Sequence, residues 1–201
     1  MRNRKLSVML AAAMLLTALP GCGDKKGSSA DESSSAVITM NSELHVSADE
    51  NVDPECSECI RTYFLSLENC DYDAYKAALY PPYREHYENW LKQNDLTPEK
   101  DFDKMCRRFD EDGYESWHLT ELALTYYQDE ASTIPDFLNS FVTGNIVPED
   151  FPDQLNADCS EIHDVVFSLQ ALYSGDTEPT TVVQRQGILA VKNADGWYLL
   201  G

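Results

Sequence analysis

From residue 54 onward the apolar positions first recur at the spacing of a helix. Cys56, Cys59, Ile60, Tyr63, Phe64 and Leu67 fall on one face, while Glu58, Arg61 and Glu68 lie elsewhere around it. Asp53 followed by Pro54 supplies an N-cap and a first-turn proline, which predicts where that helix begins. A break at Asn69, Cys70 and Asp71 leads to a second, short helix through Tyr75 and Leu79, which Pro81 and Pro82 are expected to end. Further helical stretches are predicted over residues 83–93 and 98–110.

After Gly113 the period becomes that of strands, over residues 116–128, 160–173, 180–192 and 197–200. Ser174-Gly175-Asp176 and Asn193-Ala194-Asp195-Gly196 hold the turn residues that join antiparallel strands. Between the first two strands, residues 134–157 form an insertion with a short helix at 135–141. Helices followed by a curled antiparallel sheet predict an α+β domain, with the N-terminal helices packed on a curved sheet. Residues 54–201 are enough for one such domain with its own core and too few for two.

The N-terminus follows another pattern. Arg2, Arg4 and Lys5 precede an apolar run from Leu6 to Leu19, which ends in Leu19-Pro20-Gly21-Cys22. The run can enter a membrane but is short of the ~20 residues that span one as a helix, so a cleaved signal is predicted. The segment resembles a bacterial lipoprotein signal, in which the bond before the cysteine is cut and the cysteine carries lipid. The resemblance implies a signal peptide over residues 1–21, acyl chains such as palmitate on Cys22, and a place on the extracytoplasmic face of the cell membrane. Buried acyl chains contribute ~0.8 kcal/mol per methylene, so several of them anchor firmly. Residues 22–53 are mostly Ser, Asp, Glu, Lys and Gly and read as a disordered polar tether. Within it, residues 36–40 with Leu44 and Val46 form an apolar patch able to add a short strand.

Charge narrows the partners. Loss of Arg2, Arg4 and Lys5 with the signal takes the formal charge from -20 to -23. Nucleic acid is excluded as a partner, because binding it depends on Lys and Arg neutralising phosphates. The acidity suits cationic partners or weak cation binding, and the simpler reading is that net charge keeps an exported domain in solution.

Candidate chemistry is sparse. With Cys22 lipidated, Cys56, Cys59, Cys70, Cys106 and Cys159 remain, an odd number. Cys56-x-x-Cys59 lacks the second pair or the histidines that a structural zinc site needs, and no strand precedes it as in a redox motif. Both cysteines read as small apolar residues on the buried helix face, and a disulfide from this helix to Cys70, Cys106 or Cys159 is the alternative. Asp110-Glu111-Asp112-Gly113 does not fit a calcium loop, since Gly113 at the sixth position puts Arg108 first and Leu119 twelfth. His163 and Asp164 are strand neighbours that point to opposite faces and cannot form a dyad. No nucleophile elbow, phosphate loop or dinucleotide fingerprint occurs. No catalytic residue, cofactor or metal is expected.

The run from Tyr63 to Tyr75, a helix, a break and an Asp-Tyr-Asp second helix, resembles the nuclear transport factor two-like, cone-shaped α+β family, as does the closing Gly196-Trp197-Tyr198-Leu199-Leu200. The resemblance implies a long N-terminal helix in the concave face of a bent sheet. Lipoproteins of that family are often accessory or ligand-binding modules, and other branches are isomerases and dehydratases that use an Asp/His pair in the cone.

On the strand 160–173 the odd-numbered face carries Val165, Phe167, Leu169, Ala171 and Tyr173, against Asp164, Ser168 and Gln170 on the even face. The odd face is expected to meet Ile60, Tyr63, Phe64 and Leu67 of the first helix. His163 shares that face, and by alternation His118 shares a face with Leu122, Leu124 and Tyr126. If both faces turn inward, His118, His163, Tyr63 and Tyr126 are the polar groups of a ligand pocket; the competing reading has both histidines at the sheet margin. The function expected is a membrane-tethered, non-catalytic domain that binds a small ligand or an envelope protein, or pairs with a second copy as a homodimer. The alternative is a small acid-base enzyme of isomerase or dehydratase type.

Overall fold

The computed structural model describes residues 44–127 and 130–201. The signal, Cys22 and residues 36–40 lie outside the described residues. The domain is α+β, and its polypeptide is ordered as α1 (Pro54–Glu68), α2 (Tyr72–Ala78), α3 (Pro81–Gln93) and α4 (Pro98–Cys106) ahead of most of the sheet. The caps act as their residues dictate. Asp53 Oδ1 accepts the backbone N–H of Glu55 at 2.7 Å, and Asp71 Oδ1 accepts those of Asp73 and Ala74 at 3.1 and 3.0 Å.

Two boundaries differ from the expected ones. Pro81 and Pro82 do not merely stop α2, which already ends at Ala78; they form the first turn of α3, where a missing N–H costs nothing. Leu79 and Tyr80 between them run along the last strand, with the Tyr80 N–H donating to the Leu199 carbonyl at 2.9 Å. The predicted helix over 98–110 ends at Cys106, after which Phe109 turns back into the core.

Among the described residues five strands form one open sheet in chain order: β1 (His45–Ala48), β2 (Trp117–Tyr126), β3 (Glu161–Tyr173), β4 (Thr180–Asn193) and β5 (Gly196–Leu200). The three pairings from β2 to β5 are antiparallel as expected, but β1 lies parallel to β2, so the sheet is mixed. β1 falls inside the stretch whose composition reads as tether. The chain joins the fold ahead of Pro54: Leu44 and Val52 are buried, and the Asp49 N–H donates to the Leu124 carbonyl at 2.9 Å. A few apolar residues suffice there because the edge of β2 offers unpaired backbone groups.

The concave face of the sheet is filled by α1. Ile60, Tyr63, Phe64 and Leu67 share one core with Val165, Phe167, Leu169, Ala171 and Tyr173, the odd face of β3. The rings of Phe64 and Phe167 meet at 4.8 Å between centroids. The insertion forms more structure than expected: α5 (Glu130–Thr143) and α6 (Phe151–Asp158) join α3 in a second core on the opposite face, around Leu189, Val191 and Leu200. Asp164 and Val166, on the even face of β3, are buried as well. Close packing there depends on Gly187 of β4. A Cβ at that position would lie 2.7 Å from Asp164 Oδ1 and 3.1 Å from Phe137 Cζ, so the absent side chain is what lets the Phe137 ring approach.

Two substitutions test this packing. Phe167→Ala empties the centre of the first core and should cost about 3–5 kcal/mol in urea unfolding. Gly187→Ala forces the Phe137 ring outward and should cost about 1–3 kcal/mol by the same measurement, although alanine is ordinarily harmless in a strand.

Candidate functional site

The four residues expected to share a pocket do not come together. His118 and His163 stand at opposite ends of the sheet, because β2 and β3 run antiparallel: His118 pairs with Leu172, nine positions from His163, about 30 Å at the usual strand rise. A bulge between Leu119 and Glu121 also breaks the alternation of β2. Leu119, Leu122 and Leu124 all face the core, so His118 lies on the other face of the sheet beside Leu172 and not with Leu122, Leu124 and Tyr126. A single unpaired residue reverses parity for everything before it.

Tyr63 is a core residue. Its ring packs against Phe64 and Tyr75 at 5.2 and 5.6 Å, its hydroxyl donates to the Gly201 carbonyl at 3.4 Å, and burial pushes its pKa up to about 12. The phenol therefore stays neutral and is held inside. Three surface depressions are lined by none of the four. One, of about 350 Å³, lies beside Cys59 and Trp197, and wider ones of about 780 and 610 Å³ open beside α3.

What the fold does bring together is His163 with Tyr126, at the end of the sheet where α1 begins. Their rings stack at 4.5 Å between centroids with 28° between planes, and Trp197 of β5 lies 5.8 Å from the imidazole. Charged groups gather around them. Register sets Glu161 of β3 opposite Lys192 of β4, and Lys192 opposite Trp197. Lys192 Nζ is 3.6 Å from Glu161 Oε1 and 3.6 Å from Asp53 Oδ2, and 5.3 Å from the Trp197 ring centre. His163 Nε2 is 3.3 Å from Glu161 Oε2. Burial works against the Lys192 ammonium, yet Asp53, Glu161 and Glu55 outweigh it and hold the amine above its ordinary pKa. Burial likewise would raise the Asp53 carboxyl, but the Glu55 and Cys56 N–H groups and Lys192 hold it below its usual 3.8.

This rim has the residue types of acid-base chemistry, a carboxylate touching an imidazole. Beneath lies Cys56, fully buried, with its thiol pKa pushed up to about 12 by burial and then by Cys59 and Asp53. Cys59 is engaged elsewhere, donating to the Trp197 carbonyl at 3.3 Å. Cys56 is thus a buried residue of the helix face, while Cys59 is half-buried at the edge of that face. Among the described residues no group of three or more His, Cys, Asp or Glu side chains is placed to hold a metal ion.

Glu161 and Lys192 escaped the sequence reading, and Asp53 and Trp197 entered it only as a helix cap and as part of the closing strand. Glu161 and His163 were legible as same-face neighbours at i and i+2. Lys192 joins them only through the β3–β4 register, and Asp53 only because α1 starts over this corner.

The charge of Asp53 can be isolated by Asp53→Asn, which keeps a good N-cap. Because the folded pKa is lowered, its stabilisation is present above the unfolded value near 3.8 and is lost as pH falls through the folded value. The stability gap between wild type and Asp53→Asn should be constant from about pH 5 upward and shrink below pH 4 in urea titrations. A gap unchanged down to pH 2 would refute the electrostatic role.

No family model matches the chain, and no curated protein or solved structure matches it either.

Proposed function

We propose that this is a membrane-tethered, extracytoplasmic lipoprotein whose domain works by non-catalytic binding of a partner protein at its surface. The observation that carries the binding reading is the filled concave face. In a cone-shaped domain the space between helix and sheet is where a small molecule would sit, and here Ile60, Tyr63, Phe64, Leu67 and Phe167 occupy it, each 5% exposed or less. Surface-to-surface contact is the mode such a domain retains.

The tethering reads from the N-terminus, with its basic start, short apolar run and Cys22 followed by a polar stretch. Among the described residues no helix is long and apolar enough to cross a membrane. The family reading, nuclear transport factor two-like, is supported by the long helix α1 lying in the concave face of an open sheet. The acid-base enzyme stands as a second reading on one observation, the Glu161–His163 contact at 3.3 Å.

Cys22→Ala should release the protein from membranes or leave its precursor uncut, as read by fractionation and intact mass. A wild-type protein that is wholly soluble and lacks acyl mass would overturn the anchor. Capture of the native protein from gently solubilised membranes should bring down a stoichiometric exported protein. A co-purifying metabolite lost in His163→Ala would instead favour the enzyme.

A further inference from the structure

Helix α3 keeps one face open after the second core is packed. Tyr83, Tyr87 and Leu91 are its buried residues, while His86, Asn89, Trp90 and Gln93 form the neighbouring stripe, at the i, i+3, i+4 and i+7 spacing of a single helix face. Across from that stripe run Val142 and Thr143 at the end of α5, and then the chain from Asn145 to Glu149. Between the two walls the surface is hollowed to about 610 Å³.

Both walls are held in place by the protein itself. The Trp90 indole N–H donates to the Gly144 carbonyl at 3.1 Å, which ties α3 to the end of α5. Asn145, at φ 55°, turns the chain left-handed there, a conformation asparagine tolerates, and the Ile146 N–H closes the helix on the Phe141 carbonyl at 2.9 Å. Ile146 and Val147 are buried in the second core, and His86 meets the Phe151 ring of α6 edge-on at 5.9 Å. A groove already fixed in shape binds without the entropic cost of ordering its walls.

The lining differs in kind from the rest of this acidic surface. The other two depressions described above carry charge, Asp73, Lys76, Arg84, Glu85 and Glu88 in one and Glu55 and Glu58 in the other. In the α3 groove Glu149 is the one acid, no Lys or Arg takes part, and the polar groups are chiefly the amides of Asn89, Gln93 and Asn145. Each amide offers two N–H donors and an acceptor oxygen, all three are exposed, and among the described residues none hydrogen-bonds its side chain to the protein. Trp90 has already used its N–H, so it contributes an apolar ring.

Such a lining has no cation for an anionic ligand, and an apolar ligand would strip the amides of water with nothing in return. A polypeptide segment is the nearest competitor, but the recurring modes of peptide recognition use a free strand edge or an apolar groove, and a hollow lined by amides is neither. A sugar fits both parts of the lining. Its adjacent hydroxyls each donate and accept, as the amides do, and its C–H face is apolar, as the indole is.

We propose that the groove between α3 and the α5–α6 connection is a binding site for a neutral saccharide, with Asn89, Gln93 and Asn145 bonding its hydroxyls and the Trp90 ring packing against its C–H face. This is a second binding function on the rear of the sheet, and it does not rest on the partner protein or on the membrane anchor.

The test is titration of the purified full-length chain, in a sugar-free detergent, with cellotriose, maltotriose and chitotriose. Calorimetry reads affinity, and tryptophan emission is followed in parallel. At least one of the trisaccharides should bind and change the emission, and the emission change should be lost in Trp90→Phe. Asn89→Ala combined with Gln93→Ala should weaken binding roughly tenfold or more, since two hydrogen bonds to the ligand are lost. Both residues are exposed, so the thermal midpoint should stay where it was. Gln184→Ala, which removes an exposed amide of β4 outside the groove, should leave the affinity unchanged. Failure of all three sugars to bind, or binding that the double variant leaves intact, would overturn the site. Binding of an uncharged, end-capped Ser-Ala peptide in place of the sugars would overturn the saccharide and assign the groove to a polypeptide.

Discussion

Everything else in this domain is arranged around the seating of α1 in the concave face of the sheet. The helix presents Ile60, Tyr63, Phe64 and Leu67 to the odd face of β3, and this contact removes both apolar faces from water. Its consequences spread in both directions along the chain. The start of α1 brings Asp53 over the corner where Lys192 and Glu161 pair. Its end sets the turn at Cys70, from which α2 and the crossing to α3 follow.

The far side of the sheet needs its own cover, because Leu189, Val191 and Leu200 alternate with core residues and would otherwise face water. The chain solves this by passing Leu79 and Tyr80 along the edge of β5 and then sending α3 behind the sheet. That route also shields an edge strand whose free backbone groups would invite pairing with another chain. Tyr83, Tyr87 and Trp90 stack along α3, and the Tyr87 hydroxyl donates to Asp101 Oδ2 at 2.6 Å, tying the rear layer to α4 in front.

The polar rim at the α1 end follows from the same geometry and not from a separate design of side chains. Strands end there, so alternate residues that would be apolar one turn deeper can be charged. Glu161, His163 and Lys192 occupy such positions, and Trp197 and Tyr126 form the boundary between rim and core. Ion pairs of this exposed kind contribute little to stability, because water screens them. Their effect is to fix where charge sits on an otherwise strongly acidic surface.

Local pattern was enough to read α1 and its Asp53 cap, the break at Cys70, the three antiparallel pairings and the apolar face of β3, because each depends on residues close in sequence or on strict alternation. The α+β class followed from their order. The site was not legible in the same way. A bulge at Leu119/Glu121 reversed the side to which His118 points, and antiparallel pairing placed it far from His163. The rim united Asp53, Tyr126, Glu161, Lys192 and Trp197 from five parts of the chain. Periodicity reports which face a residue takes within its own element, and it carries no information on bulges, on which edge a short strand such as β1 adopts, or on the register between distant strands. Those are set by the simultaneous packing of both sheet faces, so the elements were determined by the sequence alone and their convergence only by the tertiary structure.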